Sequence, residues 1–207
     1  MANEPTVYVV EDDVASRELM TDLFESVDLN VVTFNNGNDF LQSFPVPAPG
    51  CLLLDVRMPG ISGLDLQTKL AETPSSLPII IVTAHGDTQM AVRAMKEGAF
   101  DFVEKPINNQ ILLETVDKAI NESEKLTRSL GQQEEIRQRL ENLTPREHDV
   151  LNMIAKGKLN KQIAFDLGIT QRTVEVHRAR VMEKMKAKTV ADLLRTVMSL
   201  DSFTGKP

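Results

Sequence analysis

The sequence predicts an α/β domain followed by a smaller all-α domain. Three observations carry that prediction. Short apolar runs alternate with amphipathic stretches over residues 1–120, four short helical patterns follow residue 142, and the charge changes sign between the two parts. A chain of 207 residues is long enough for two modest domains, since globular domains run roughly 100–200 residues each. With 42% hydrophobic residues it can build packed cores, so disorder is not the default.

The first five strands are read from apolar runs at Thr6 to Val10, Val31 to Phe34, Cys51 to Leu54, Ile79 to Thr83 and Phe102 to Val103. Nearly unbroken runs such as IIIV suit strands covered on both faces, and a strand–helix–strand order favours a parallel sheet wrapped by helices. Between them, Glu18, Leu19, Leu23 and Phe24, and later Ala91, Ala94 and Met95, fall at helical spacing. Cys51 lies inside the apolar run CLLLD, where the lone thiol reads as a small buried hydrophobe.

Residues 121–142 are polar, with apolar side chains at Leu126, Leu130, Ile136 and Leu140. They read as a helical linker, either solvated or dimerising. Gly131 and the run Gln132 to Glu135 interrupt the leucine stripe, so a sustained coiled coil does not follow.

At Leu143 a new pattern opens. Thr144 can cap a helix, Pro145 suits its first turn, and Glu147 stands three residues after the cap, as a capping box requires. That helix presents Val150, Leu151 and Ile154 and stops near Gly157. A second runs from Asn160 to Leu167 and ends at Gly168. Thr170 can cap a third that reaches about Lys186, and Thr189 to Met198, with Asp192 placed for a further cap, makes a fourth. Helix, glycine-containing turn, helix is the layout of a helix-turn-helix DNA-binding unit. On the third helix Thr173, Val176, His177 and Arg180 share one face, while Val174, Val181 and Met185 can face the core.

Charge supports two different partners. Residues 1–120 hold 7 basic and 18 acidic side chains, whereas residues 143–207 hold 12 and 7. A basic segment attracts a phosphate backbone. No apolar stretch approaches the ~20 residues that span a bilayer, and the opening MANEPT lacks the features of a secretory signal. The protein is therefore expected in the cytoplasm, with no membrane partner.

In a parallel sheet the C-terminal strand ends border the ligand crevice. Here Glu11, Asp12 and Asp13 follow the first strand, Asp55 the third, Thr83 the fourth and Lys105-Pro106 the fifth. Clustered carboxylates repel unless a cation joins them, and hard oxygen ligands suit Mg²⁺. A carboxylate can also attack a phosphoryl group to give an acyl phosphate. Asp55, directly after a buried strand, is the candidate, with Lys105 to neutralise phosphoryl charge and Thr83 to donate a hydrogen bond.

The ordered set EDD, LLLDVRMPG, TAH and KP resembles the receiver domain of two-component response regulators over residues 1–120. The resemblance implies a flavodoxin-like (βα)5 fold, Asp55 as phosphoacceptor, and Thr83 and Phe102 as the switch pair, Phe102 being equally readable as a core aromatic. It further implies Lys105 as the phosphate-binding lysine and a cis peptide at Lys105-Pro106. Mg²⁺ would be held by Asp12, Asp55 and the Arg57 main-chain carbonyl, with Glu11 acting through water. Glu11 stands where the family usually has Asp.

LTPRE, NKQIA and TVEVHR resemble the LuxR/FixJ-type output domain over Leu143 to Met198, a four-helix DNA-binding domain placed here at 143–207. That family reads bases from the third helix and dimerises on DNA through the fourth. Arg178 and Arg180 suit either guanine or phosphate, and Lys161, Arg172 and Lys184 suit phosphate. Thr173 and Val176 face the groove. Glu175, where many relatives carry a basic residue, could contact cytosine or play a weaker part, and His177 is either a DNA contact or a surface histidine.

The function so implied is a response regulator transcription factor. A sensor histidine kinase phosphorylates Asp55, the chain forms a homodimer, and promoter DNA and RNA polymerase are engaged to activate transcription. No enzymatic turnover is expected. A Mg²⁺-dependent phosphohydrolase would need a second Asp two residues after the nucleophile, where Arg57 stands. A constitutively dimeric, unphosphorylated DNA-binding protein would not need Asp55, Thr83 and Lys105 together.

Overall fold

The computed structural model describes residues 4–44, 49–72, 77–84 and 88–200. The chain divides into two compact units, Met1–Arg128 and Ser129–Pro207.

Five strands, β1 (Thr6–Val10), β2 (Asn30–Phe34), β3 (Gly50–Asp55), β4 (Ile79–Thr83) and β5 (Asp101–Glu104), pair in parallel in the order β2-β1-β3-β4-β5. Each matches its expected apolar run to within a residue at either end. The interleaved helices are α1 (Val14–Glu25), α2 (Gly37–Ser43), α3 (Gly63–Ala71), α4 (Thr88–Lys96) and α5 (Asn109–Glu141).

Side chains alternate across a strand, and the sheet separates them accordingly. Val7, Val9, Cys51, Leu53, Ile80 and Val82 pack with Met20 and Phe24 of α1 and with Leu112, Val116 and Ala119 of α5. Tyr8, Val10, Leu52, Leu54 and Ile81 pack on the other side with Phe40 of α2, Leu64, Leu66 and Leu70 of α3, and Ala94 of α4. Leu19, at helical spacing with the apolar residues of α1, points outward, and Met20 is buried instead. Cys51 is fully buried, and desolvation pushes its thiol up to about 12.

Residues 121–141 are helical and continuous with the helix before them. One helix, α5, runs from Asn109 to Glu141 and passes through Gly131. Glu-before-Arg pairs four residues apart, Glu124–Arg128 at 2.9 Å and Glu135–Arg139, support it on either side of the glycine. The apolar pairs have different fates. Leu126 and Leu130 are exposed, whereas Ile136 and Leu140 pack into the core of the second unit.

That second core is built on α6 (Pro145–Ala155), α7 (Asn160–Leu167), α8 (Gln171–Lys184) and α9 (Val190–Met198). Thr144 and Glu147 form the expected capping box, as do Thr189 and Asp192, and Thr170 caps α8. Gly168 closes α7 at φ 63°, a left-handed conformation in which a side chain is strained. Val150, Leu151, Ile163, Val174, Val181, Met185, Leu193 and Val197 meet in the interior.

Candidate functional site

The strand order reverses between β1 and β3, the place where open parallel sheets leave a crevice at their C-terminal ends. Glu11 and Asp12 leave β1 there, and Asp55 ends β3. The carboxylates of Glu11, Asp12 and Asp55 can each place an oxygen within 4.8 Å of the others. Glu11 and Asp55 are buried and Asp12 is exposed. Asp13 does not join them, because its side chain caps α1 by accepting from Ser16 N at 2.8 Å.

Lys105 reaches into this cluster from the end of β5. Its Nζ lies 2.7 Å from Glu11 Oε2 and 3.2 Å from Asp55 Oδ1. The backbone places it there: Lys105 N donates to Thr83 O at 2.8 Å, beside the end of β4, and the Lys105-Pro106 peptide is cis. Burial alone would lower the Lys105 ammonium, but the hydrogen bond to Glu11 and the charges of Asp55 and Glu11 hold it above its ordinary value. Glu11 is raised as well, chiefly by desolvation and further by the Asp55 charge, against the pull of Lys105. The ammonium thus bridges two of the three carboxylates, and even with Arg17 nearby the acids outnumber the cations among the described residues. That donor set fits a hard divalent cation such as Mg²⁺.

Asp55 is held from its own backbone side too. Its Oδ2 accepts from Arg57 N at 2.7 Å. The start of α3 also presses against it, since a Cβ on Gly63 would lie 2.2 Å from Asp55 O. Arg17, which sequence reading passed over, donates Nη1 to the main-chain oxygens of Glu11 at 2.6 Å and Asp12 at 3.3 Å. Thr83 is 1% exposed at the end of β4, and Phe102 is half-buried against the cluster that contains Tyr8 and Ile81. His85 of the TAH motif lies outside the described residues.

In the second unit α7, the turn through Gly168, Ile169 and Thr170, and α8 form a helix-turn-helix. Val174, Val181 and Met185 face the core, as their spacing requires. Lys161, Arg172, Glu175, Val176 and Arg180 are exposed. Thr173 is half-buried, its hydroxyl 2.8 Å from that of Thr170. His177 is half-buried with Nδ1 buried and unbonded.

Lys184 and Arg178, also expected at DNA, are half-buried. Lys184 Nζ is engaged within the unit, 2.7 Å from Glu147 Oε2 and 3.0 Å from Asn142 O, so its charge neutralises a carboxylate that is 2% exposed. Arg178 is half-buried and lines a depression with Lys161, Gln171 and Val190. On α8 it is spaced by four, three and seven residues from Val174, Val181 and Met185.

Residues 7–117 match the model of the response regulator receiver domain, and residues 141–197 match that of the bacterial regulatory proteins of the luxR family. Nodulation protein W of Bradyrhizobium diazoefficiens is 46% identical over 91% of this chain and 83% of that protein. Transcriptional regulatory protein FixJ of the same organism is 38% identical over 96% and 97%. The solved structure of the response regulator StyR covers 94% of this chain and 98% of its own at 40% identity, with a TM-score of 0.85. The chain therefore belongs to the response regulators that join a receiver domain to a LuxR-type DNA-binding domain, and it is a transcription regulator of that family.

Proposed function

We propose that phosphorylation of Asp55 by a sensor histidine kinase switches this regulator on. The observation that carries the reading is Lys105 Nζ bridging Glu11 and Asp55 in the crevice. An ammonium so placed neutralises charge on an incoming phosphoryl group, and Asp55 has its orientation set by Arg57 N. A carboxylate oxygen of Asp55 forms the new O–P bond, the P–N bond of the phosphohistidine breaks, and the released imidazole keeps the electron pair and takes a proton.

Glu11, Asp12 and Asp55 are the side chains suited to Mg²⁺, with the Arg57 main-chain carbonyl as a further donor and Glu11 acting through water. When bound, the ion offsets the charge that gathers on the phosphoryl oxygens. Thr83, at the crevice, hydrogen-bonds the phosphoryl group, and Phe102 follows it inward, which alters the surface of α4 and β5. Homodimerisation then presents two α8 helices to half-sites about one helical turn apart. On that helix Arg172, Thr173, Glu175, Val176, His177, Arg178 and Arg180 face promoter DNA, with Lys161 and Lys184 on phosphates. RNA polymerase is recruited and transcription activated. The protein acts as a phosphoacceptor rather than a turnover enzyme, in the cytoplasm.

Incubation of the full chain with a small phosphodonor and Mg²⁺ tests the acceptor. A single adduct labile to hydroxylamine and base, as an acyl phosphate is, is expected in the parent chain and none in Asp55→Asn. An adduct that persists in Asp55→Asn, or steady phosphate release with no adduct, contradicts the assignment.

A further inference from the structure

Of the three carboxylates in the crevice, two are held at their tips. Glu11 and Asp55 share the Lys105 ammonium, and Asp55 also accepts from Arg57 N. Asp12 differs. It is exposed, and its carboxylate has no hydrogen-bond or ion-pair partner among the described residues, so its backbone alone aims it. That backbone is gripped by Arg17. Nη1 of Arg17 donates to Glu11 O at 2.6 Å and to Asp12 O at 3.3 Å, while Glu11 N donates to Phe34 O of β2 at 3.1 Å. The turn out of β1 is thus fixed from β2 on one side and from α1 on the other.

The helix itself does not account for Arg17. The residue stands near the N-terminal end of α1, where a cation opposes the helix dipole. Nor does an acid account for it, since the half-buried guanidinium has no ion-pair partner among the described residues. Its partners are the two carbonyls. Resting on the phosphoacceptor site proposed above, we propose that Arg17 is a positioning residue for the divalent cation. By holding the Glu11 and Asp12 carbonyls it points the Asp12 carboxylate into the crevice, and the ion meets a ligand already in place. A group that orients a metal ligand raises affinity without touching the ion, because less freedom is lost on binding.

Sign separates this role from that of a nearby charge. A guanidinium repels a dication, so as a charge alone Arg17 would weaken Mg²⁺ binding and its removal would tighten it. As a positioning residue, its removal frees Asp12 and weakens binding. The test is an Mg²⁺ titration of the full unphosphorylated chain followed by amide NMR, with Arg17→Gln and Arg17→Lys beside the parent. Arg17→Gln is expected to weaken Mg²⁺ about tenfold, with its ion-free spectrum altered at the turn after β1 and overlaying the parent's elsewhere. Because a single nitrogen makes both contacts, Arg17→Lys should recover most of the affinity. Affinity in Arg17→Gln equal to the parent's would overturn the proposal, and tighter binding would do so in favour of a nearby charge. A lysine variant as weak as Arg17→Gln would also overturn it, as would spectral changes spread through the whole first unit, which would give Arg17 a general structural role. A parent spectrum unmoved by Mg²⁺ would overturn the cation site itself and the proposal with it.

Discussion

Glu147 shows how one side chain can do two structural jobs in the DNA-binding unit. It accepts from Thr144 N at 2.9 Å to complete the α6 cap and from Lys184 Nζ at 2.7 Å, 37 residues away. The hydrogen bond from Lys184, then that from the Thr144 backbone, holds its carboxyl below the ordinary range. A carboxyl with a depressed folded-state value adds stability above its unfolded value and loses it as the pH falls through the folded one. Glu147→Gln keeps the cap, since glutamine also serves at that position, but loses the charged partner. Its second unit should be less stable at neutral pH by about 1–2 kcal/mol. The gap from the parent should close as the pH falls below the usual carboxylate range. Urea unfolding followed at several pH values checks this, and a gap independent of pH would contradict it. The cap was legible because it depends on residues three apart. The capture of Lys184 was not, because tertiary packing alone brings α8 to Glu147.

At the scale of elements, the strand ends and their acidic residues were legible because a parallel sheet delivers every C-terminal end to one edge. Register then sets their spacing, with Val10 opposite Leu54 and Asp55 opposite Val82. What the pattern did not disclose is how closely α3 abuts that edge. Gly63→Ala would put a Cβ 2.2 Å from Asp55 O. The first unit should lose about 1–3 kcal/mol, and phosphorylation of Asp55 should slow because its backbone must shift. A denaturation midpoint and an adduct-formation rate matching the parent would refute this close fit. The linker was read as a helix whose leucine stripe breaks at Gly131, and α5 runs through that glycine although glycine is a poor helix former; beyond the helix's own backbone nothing lies within 4 Å of an added Cβ. Gly131→Ala should therefore stabilise the helix there by about 1 kcal/mol, or about fivefold in amide-exchange protection of neighbouring residues. Unchanged protection would mean that something other than glycine limits the helix at that point.

For the whole molecule, the reversal of charge along the chain announced two units with different partners, and both family matches agree with it. The acidic first unit gathers carboxylates around a single ammonium. The second presents Arg172 and Arg180 on a helix whose other side is core. How phosphorylation alters DNA binding is the link that no local pattern encodes, because it depends on populations of the whole chain. The most direct test measures the affinity of the full chain for duplexes it selects from a random pool, with and without a small phosphodonor and Mg²⁺, at one salt concentration, beside Asp55→Asn. The account predicts at least tenfold tighter binding on phosphorylation of the parent and no gain in Asp55→Asn. Equal affinity in all states, or an equal gain in the variant, would contradict it.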